Sequence, residues 1–284
     1  MQEHLQWLIK YLLEENEAYR DISIPQQEEE CFQLYRSLVN VREPKPVSDA
    51  FLCHESAVLE AIKHQKGIVT IAQMQAFDKN LYLWKGDITR IQSDAIVNAA
   101  NAQLLGCFQP CHGCIDNAIH TFAGIELRQE CAAIMRKQRQ EEPVGKAKIT
   151  KGYHLPATYV LHTVGPIVYG HVTDMQKQQL AACYRSCLSL AQQYHLTSIA
   201  FCCISTGEFH FPHEPAAEIA VQTVTSFLHA QQADIRVIFN VFKDADLRIY
   251  QQLLGYPHVD AHKADRTGYP SVSRSPKQGR RCVD

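Results

Sequence analysis

The chain lacks any uninterrupted apolar run of about 18 residues, so no segment reads as a helix that crosses a bilayer. It also lacks a surplus of charge of either sign: 28 Lys and Arg face 30 Asp and Glu, for a formal net charge of −2. That balance argues against a protein that coats nucleic acid or an anionic membrane. No cleavable leader is visible. The opening segment MQEHLQWLIKYLLEENE carries acids directly after its apolar stripe and has no small-residue cleavage site. There is no internal repeat. Eleven cysteines are present, but Cys183, Cys187, Cys202 and Cys203 sit in apolar runs. They read as reduced core thiols of a cytoplasmic protein rather than as a disulfide framework.

What remains is an ordinary globular balance, 46% apolar and 20% charged over 284 residues, enough for one domain with a sizeable addition. Leu5, Leu8, Ile9, Leu12 and Leu13 recur at helical spacing over 2–17. Two more helical patterns cover 26–40 and 48–64, the last preceded by the breaker stretch EPKPVSD. Residues 1–66, with twelve acidic and seven basic side chains, are therefore read as an N-terminal helical extension packed on the remainder of the chain. From 67 to 258 short apolar runs (LYLWKG, DAIVNAA, AKITKGYHL, YVLHTV, IAFCCI, VIFNVF) alternate with helical stretches near 116–137, 174–194, 213–231 and 244–254. This alternation predicts a mixed α/β sheet covered on both faces. Residues 259–284, rich in Ser, Pro, Gly, Arg and Lys, read as a disordered basic tail.

In such sheets ligands sit beyond the C-terminal ends of strands, where glycine-containing loops expose backbone N–H groups. Three loops qualify: Gly86-Asp87-Ile88, the stretch from Asn98 and Asn101 to Gly106, and Ser205-Thr206-Gly207-Glu208-Phe209. Each by itself also fits an ordinary turn. After Asn101 the segment NAQLLGCFQPCHGCIDNAIH crowds Cys107, Cys111, His112 and Cys114 into eight residues. Zinc takes thiolate and imidazole ligands, and a catalytic zinc site keeps three protein ligands with a fourth position open. Pro110 and Gly113 turn the chain so that Cys107, His112 and Cys114 can converge on one ion. No second knuckle follows, so this is not a standard finger. Incidental thiols, a structural zinc on all four side chains and an open three-ligand site all fit these residues.

The motifs KGDIT, DAIVNAAN, LLG, VLHTVGP and ISTGEFHFP, in that order over 75–255, resemble the macrodomain family. The resemblance implies a three-layer α/β/α fold and an ADP-ribose site. Asp87 would take the adenine amino group and Ile88 would line the pocket. Ser205, Thr206, Gly207, Glu208 and Phe209 would wrap the diphosphate, and Asn101 would face the distal ribose. Phe242 would stack on adenine, with a core role as its alternative. His210 departs from the glycine common at that point of the family's loop. The stretch Cys107, Phe108, Pro110, His112, Cys114, Ile115, Asp116, Asn117, Ile119, His120 is similar to one subgroup, the zinc-dependent macrodomains of bacteria and some fungi. Those also carry a helical extension, so the likeness covers 1–255. It implies Cys107, His112 and Cys114 as ligands of one Zn2+, with Cys111 at a variable position.

The function so implied is removal of mono-ADP-ribose from a modified protein. Family context adds a lipoyl-carrier protein as a target, with a sirtuin-type transferase as its modifier. Zinc beside the distal ribose would polarise an oxygen or bring the pKa of a water towards about 7. Asn101 would hold ribose hydroxyls while Asn98 braces the loop, and Asp116 would orient the water or those hydroxyls. An N-cap role competes for Asp116. His120, one turn later, is the next candidate acid or base, against packing in the core. His154 and His162 carry weaker claims. Two other readings stay open: a non-catalytic ADP-ribose reader with a structural zinc, and an O-acetyl-ADP-ribose deacetylase.

Overall fold

The computed structural model describes residues 1–255. The tail expected at 259–284 lies outside the described residues, as do 256–258. The N-terminal stretch forms three helices, α1 (Gln2–Glu14), α2 (Glu28–Val41) and α3 (Asp49–Lys66). Their apolar stripes close on a core of their own around Leu5, Leu8, Tyr35, Phe51 and Val58. Ser48 starts α3 by accepting a hydrogen bond from the Phe51 N–H, and Gly67, at φ +72°, ends it.

Seven strands come next: β1 (Gln75–Asp78), β2 (Leu81–Lys85), β3 (Ala95–Ala100), β4 (Ala147–Lys151), β5 (Tyr159–Val164), β6 (Ser198–Phe201) and β7 (Arg236–Val241). They form one mixed sheet in the order β1-β2-β7-β6-β3-β5-β4. The five inner strands are parallel and only the edges, β1 and β4, run antiparallel to their neighbours. β3, β5, β6 and β7 are buried along almost their whole length. Such continuous apolar strands belong to a sheet covered on both faces. The cover is α4 (Ile115–Ala123), α5 (Ile125–Gln138), α6 (Asp174–Gln193), α7 (His213–Gln231) and α8 (Asp244–Leu253). Fold class and mixed sheet are as predicted.

Three local details differ from the sequence pattern. The helix predicted over 116–137 divides at Gly124, whose φ of +93° breaks the helical backbone. Strand β1 carries no apolar run, because as an edge strand it is only half-buried. Strand β6 stops at Phe201, so the Cys202–Cys203 pair lies beyond it rather than within it.

Because β2, β7, β6, β3 and β5 are parallel, their C-terminal ends share one rim of the sheet. All three candidate ligand loops therefore leave the sheet on that side.

The extension is docked through a buried carboxylate. Glu55 of α3, 1% exposed, accepts from the Tyr35 hydroxyl at 2.6 Å and from the Ile125 N–H at 3.1 and 3.2 Å. It thereby satisfies an otherwise free donor at the start of α5. Burial pushes its carboxyl up to about 7, against hydrogen bonds from Tyr35 and Ile125 that pull it down. The unfolded group titrates near 4.5, so the folded state holds the extra proton between 4.5 and about 7. Stability contributed by this group is thus present below that window and lost as pH rises through it. Glu55→Gln cannot ionise and keeps an acceptor for Ile125. We predict that the native protein loses up to about 3 kcal/mol more stability than this variant between pH 5 and 8, at about 1.4 kcal/mol per unit. Urea unfolding at both pH values measures it, and equal losses in the two proteins would refute the assignment.

Candidate functional site

The shared rim holds a cavity of about 540 Å³, within the range of small-molecule sites. Its walls come from the ends of β3, β6 and β7 and from the loops beyond them. Of the residues predicted for the site, Asn101, Cys107, His112, Cys114, Asp116, Ser205, Thr206, Gly207, Glu208, Phe209 and Phe242 all line it.

Residues 107–114 form an irregular loop strung between β3 and α4. Cys107, His112 and Cys114 each turn one ligand atom inward, and the three atoms lie within 4.8 Å of one another. The His112 Nδ1 is 3.5 Å from the Cys107 Sγ. On the other side of the ring, Nε2 stands 3.7 Å from a Glu208 carboxylate oxygen. Two thiols and an imidazole at these separations fit a soft divalent ion such as zinc after a small inward adjustment. Cys114 is also the N-cap of α4, its Sγ accepting from the Asn117 N–H at 3.4 Å. Burial, with Cys107 and Asp116 nearby, pushes its thiol up to about 12 against that helix-end hydrogen bond. Cys111 faces away, with its Sγ 3.4 Å from the Gln33 carbonyl.

Asp116 is 5% exposed and is not the N-cap of α4, so that alternative role falls to Cys114. The Asn98 Nδ2 donates to Asp116 Oδ1 at 2.7 Å and also faces the His162 Nδ1 at 3.2 Å, the two strands being in register at Asn98 and His162. Asn98 thus braces Asp116 as well as the strand end. Burial raises the Asp116 carboxyl to about 6, restrained by the Asn98 hydrogen bond and the Arg128 charge. It remains mainly ionised at neutral pH. Asn101 donates to the Gly106 carbonyl at 3.0 Å and reaches Asp116 Oδ2 at 3.5 Å.

His120 does not reach the cavity. Its ring lies under Gly106, where a Cβ would meet its Cγ at 2.8 Å, and burial keeps it neutral. His162 is likewise buried and held near 3 by desolvation, bonded to Asn98 and Thr150. With Cys131 these two histidines make a second, fully buried trio of donor atoms beneath the site. His154 sits away from it, against Glu60 of the extension.

The loop after β6 is wound tightly. Ser205 and His210 both take left-handed φ, +65° and +55°. His210 therefore holds by strain the conformation glycine adopts freely. The backbone N–H groups of Gly207, Glu208 and Phe209 donate to no other group among the described residues. This is the arrangement that cradles a phosphate without a charged side chain.

Phe242 is 73% exposed, which removes the core alternative and leaves a flat apolar platform at the cavity edge. Asp87 and Ile88 are not among the lining residues. Asp87 caps a short 3-10 turn, bonding the Thr89 N–H and hydroxyl and pairing with Lys66 at 2.5 Å. Burial would raise its pKa, but Lys66 and Thr89 outweigh that and hold it below the usual carboxylate range. Ile88 is buried in the core. Sequence reasoning missed the His213–Asp246 pair, 2.5 Å apart in the cavity wall, together with Phe108, Asn240 and Lys243. His213 and Asp246 lie on different helices, and neither belongs to a motif that would have marked it.

Residues 97–220 match the family model described as Macro domain. The chain is similar to a protein-ADP-ribose hydrolase of Treponema medium, 49% identical over 252 residues that cover 87% of this chain and 97% of the relative. A protein-ADP-ribose hydrolase of Staphylococcus aureus is 47% identical over 252 residues, 88% of this chain and 94% of the relative. Among solved structures, a Trypanosoma brucei macrodomain in complex with ADP-ribose aligns at 33% identity and a TM-score of 0.60, covering 78% of this chain and 95% of that one.

Gly165 packs so closely under this loop that a Cβ there would lie 2.0 Å from the Ser205 Oγ and 2.9 Å from Ile204. Overpacking of that kind costs about 1–3 kcal/mol. Gly165→Ala is predicted to lower the melting temperature by roughly 2–10 °C, read by calorimetry. An unchanged melting temperature would show that the loop yields freely.

Proposed function

The chain belongs to the macrodomain family, and on that premise we propose that it is a zinc-dependent hydrolase removing mono-ADP-ribose from modified protein side chains. The observation that carries this reading is the convergence of Cys107, His112 and Cys114 in the wall of the same cavity that holds Asn101, Asp116 and the loop from Ser205 to Phe209. A binding module needs the loop and the platform. It has no need of two thiols and an imidazole beside a buried, ionised carboxylate.

In this reading the free N–H groups of the loop from Ser205 to Phe209 receive the diphosphate, and Phe242 stacks on adenine. Asp87 meets the adenine amino group only with an oxygen now shared with Lys66 or Thr89. Asn101 hydrogen-bonds the distal ribose. Asp116, held by Asn98, orients the attacking water or the ribose hydroxyls at the bond to the protein. Cys107, His112 and Cys114 would hold the zinc ion, which would supply Lewis acidity at that bond. The reading places the protein in the cytoplasm, where the ten free cysteines among the described residues would stay reduced.

The test is release of ADP-ribose from a mono-ADP-ribosylated protein, run with zinc content measured by mass spectrometry. Cys107→Ala, Cys114→Ala and chelation are each expected to lower turnover by at least about 100-fold, on the order of one lost transition-state contact. ADP-ribose affinity should stay within a few-fold. Full activity in zinc-free protein would overturn the metal's role. Absence of release in every form would leave a reader module.

A further inference from the structure

We infer that helix α2 of the N-terminal extension is the outer support of the metal loop, with Arg36 and Asn40 as the residues that position Cys107, His112 and Cys114. This inference rests on the proposed zinc site.

The loop needs such support. Residues 107–114 belong to no helix or strand, and within them the one backbone hydrogen bond among the described residues is His112 N–H to the Gln109 carbonyl, 3.3 Å. A loop held so loosely by itself would not keep three ligand atoms within 4.8 Å. Support comes from across the sequence. Gln33, Arg36 and Asn40 fall at helical spacing on one face of α2. Cys31, Tyr35, Leu38 and Val39 of the same helix are buried in the core of the extension. The helix is thus apolar towards its own core and polar towards the loop.

The Arg36 and Asn40 side chains each take hold of a different point, and the Gln33 carbonyl accepts from the Cys111 thiol. The Arg36 Nη2 donates to the carbonyl of the ligand residue His112 at 2.9 Å and to the Asn117 Oδ1 at 2.7 Å, and its Nε reaches the same oxygen at 3.2 Å. Asn117, fully buried, passes that constraint on: its Nδ2 donates to the Gln109 carbonyl at 2.9 Å and its N–H to the Cys114 Sγ at 3.4 Å. The Asn40 Oδ1 accepts from the Cys111 N–H at 2.9 Å, and its Nδ2 donates to Thr121 of α4 at 3.0 Å. Cys111 has a φ of +50°, a conformation costly for a residue with a Cβ, and the Asn40 contact offsets that cost where the chain turns into His112. Helix α2 is fixed in turn by Arg128 of α5, whose Nη1 donates to the carbonyls of Val39, Asn40 and Arg42. These are free carbonyls at a helix end, taken up by a charged donor from the α/β body. The partners that orient metal ligands typically control affinity strongly. Linkage then requires that zinc and the docked extension stabilise each other.

The experiment uses the full chain with Arg36→Ala, Arg36→Lys, Asn40→Ala and Asn40→Ser. Three quantities are read: zinc affinity by competition with a chromogenic chelator, melting of the metal-free protein, and ADP-ribose affinity of the metal-free protein by calorimetry. The alanine variants are expected to bind zinc about 10- to 100-fold more weakly, with ADP-ribose affinity little changed, metal-free melting little changed for Arg36→Ala, and a fall in metal-free melting for the buried Asn40→Ala that is smaller than its loss of zinc binding. Arg36→Lys, which keeps one donor, should recover part of the loss and covers the case in which an alanine variant does not fold. Native zinc affinity in folded variants would overturn the inference. So would a loss of zinc affinity that always accompanies an equal fall in metal-free stability. A native protein that binds no zinc at all would sink the metal reading itself, an outcome distinct from both.

Discussion

The hydrogen bond from Asn98 to Asp116, 2.7 Å long between two buried side chains, ties the central strand of the sheet to the first turn of α4. Much of the site depends on it. It fixes where α4 begins, and so where Cys114 sits as the N-cap of that helix. It fixes one end of the loop that carries Cys107, His112 and Cys114 relative to β3, the other end. It also keeps a carboxylate at the floor of the cavity in a protonation state that a buried acid would otherwise leave, since the hydrogen bond favours the charged form against desolvation.

The buried polar groups around this bond form a layer rather than isolated pairs. Asn98 and His162 meet across two strands in register, His162 reaches Thr150 on the next strand, and His120 packs between Asp116 and Gly106. With both histidines neutral, the layer adds no positive charge to that of Arg128 beneath the ligand cavity. A second polar layer, made of Glu55, Tyr35, Asn40 and Arg128, joins the extension to the body. The two layers share α4 and α5, so the extension bears on the site through covalently continuous helices.

Much of this was legible in the residues. The alternation of buried strands and amphipathic helices reported the sheet, because a strand covered on both faces must be apolar along its length. The loop residues from Asn101 to Asp116 and from Ser205 to Phe209 were recognisable as a set, since each set is contiguous and its chemistry is carried by neighbours in the chain. The split at Gly124 was not legible, because a lone glycine inside an apolar periodicity looks like an interior residue until its φ is known. Phe242 was ambiguous between core and cavity for a similar reason: it ends a run of buried residues, and only the close of β7 at Val241 exposes it.

By itself, then, the amino-acid order determined the fold class, the helical character of the first 66 residues and the identity of the thiols and imidazole in the loop. All of these rest on local periodicity or local chemistry. Tertiary structure alone decided that Cys111 turns to α2 while its neighbours face the cavity, that Asp87 is engaged by Lys66, and that Asp116 leaves the helix cap to Cys114. The pairings of Arg36 with Asn117 and His213 with Asp246 were likewise its doing. Their partners stand 81 and 33 positions apart in the chain. No spacing rule reaches that far: Arg36 meets Asn117 where the extension closes on the body, and His213 meets Asp246 where α7 packs on α8.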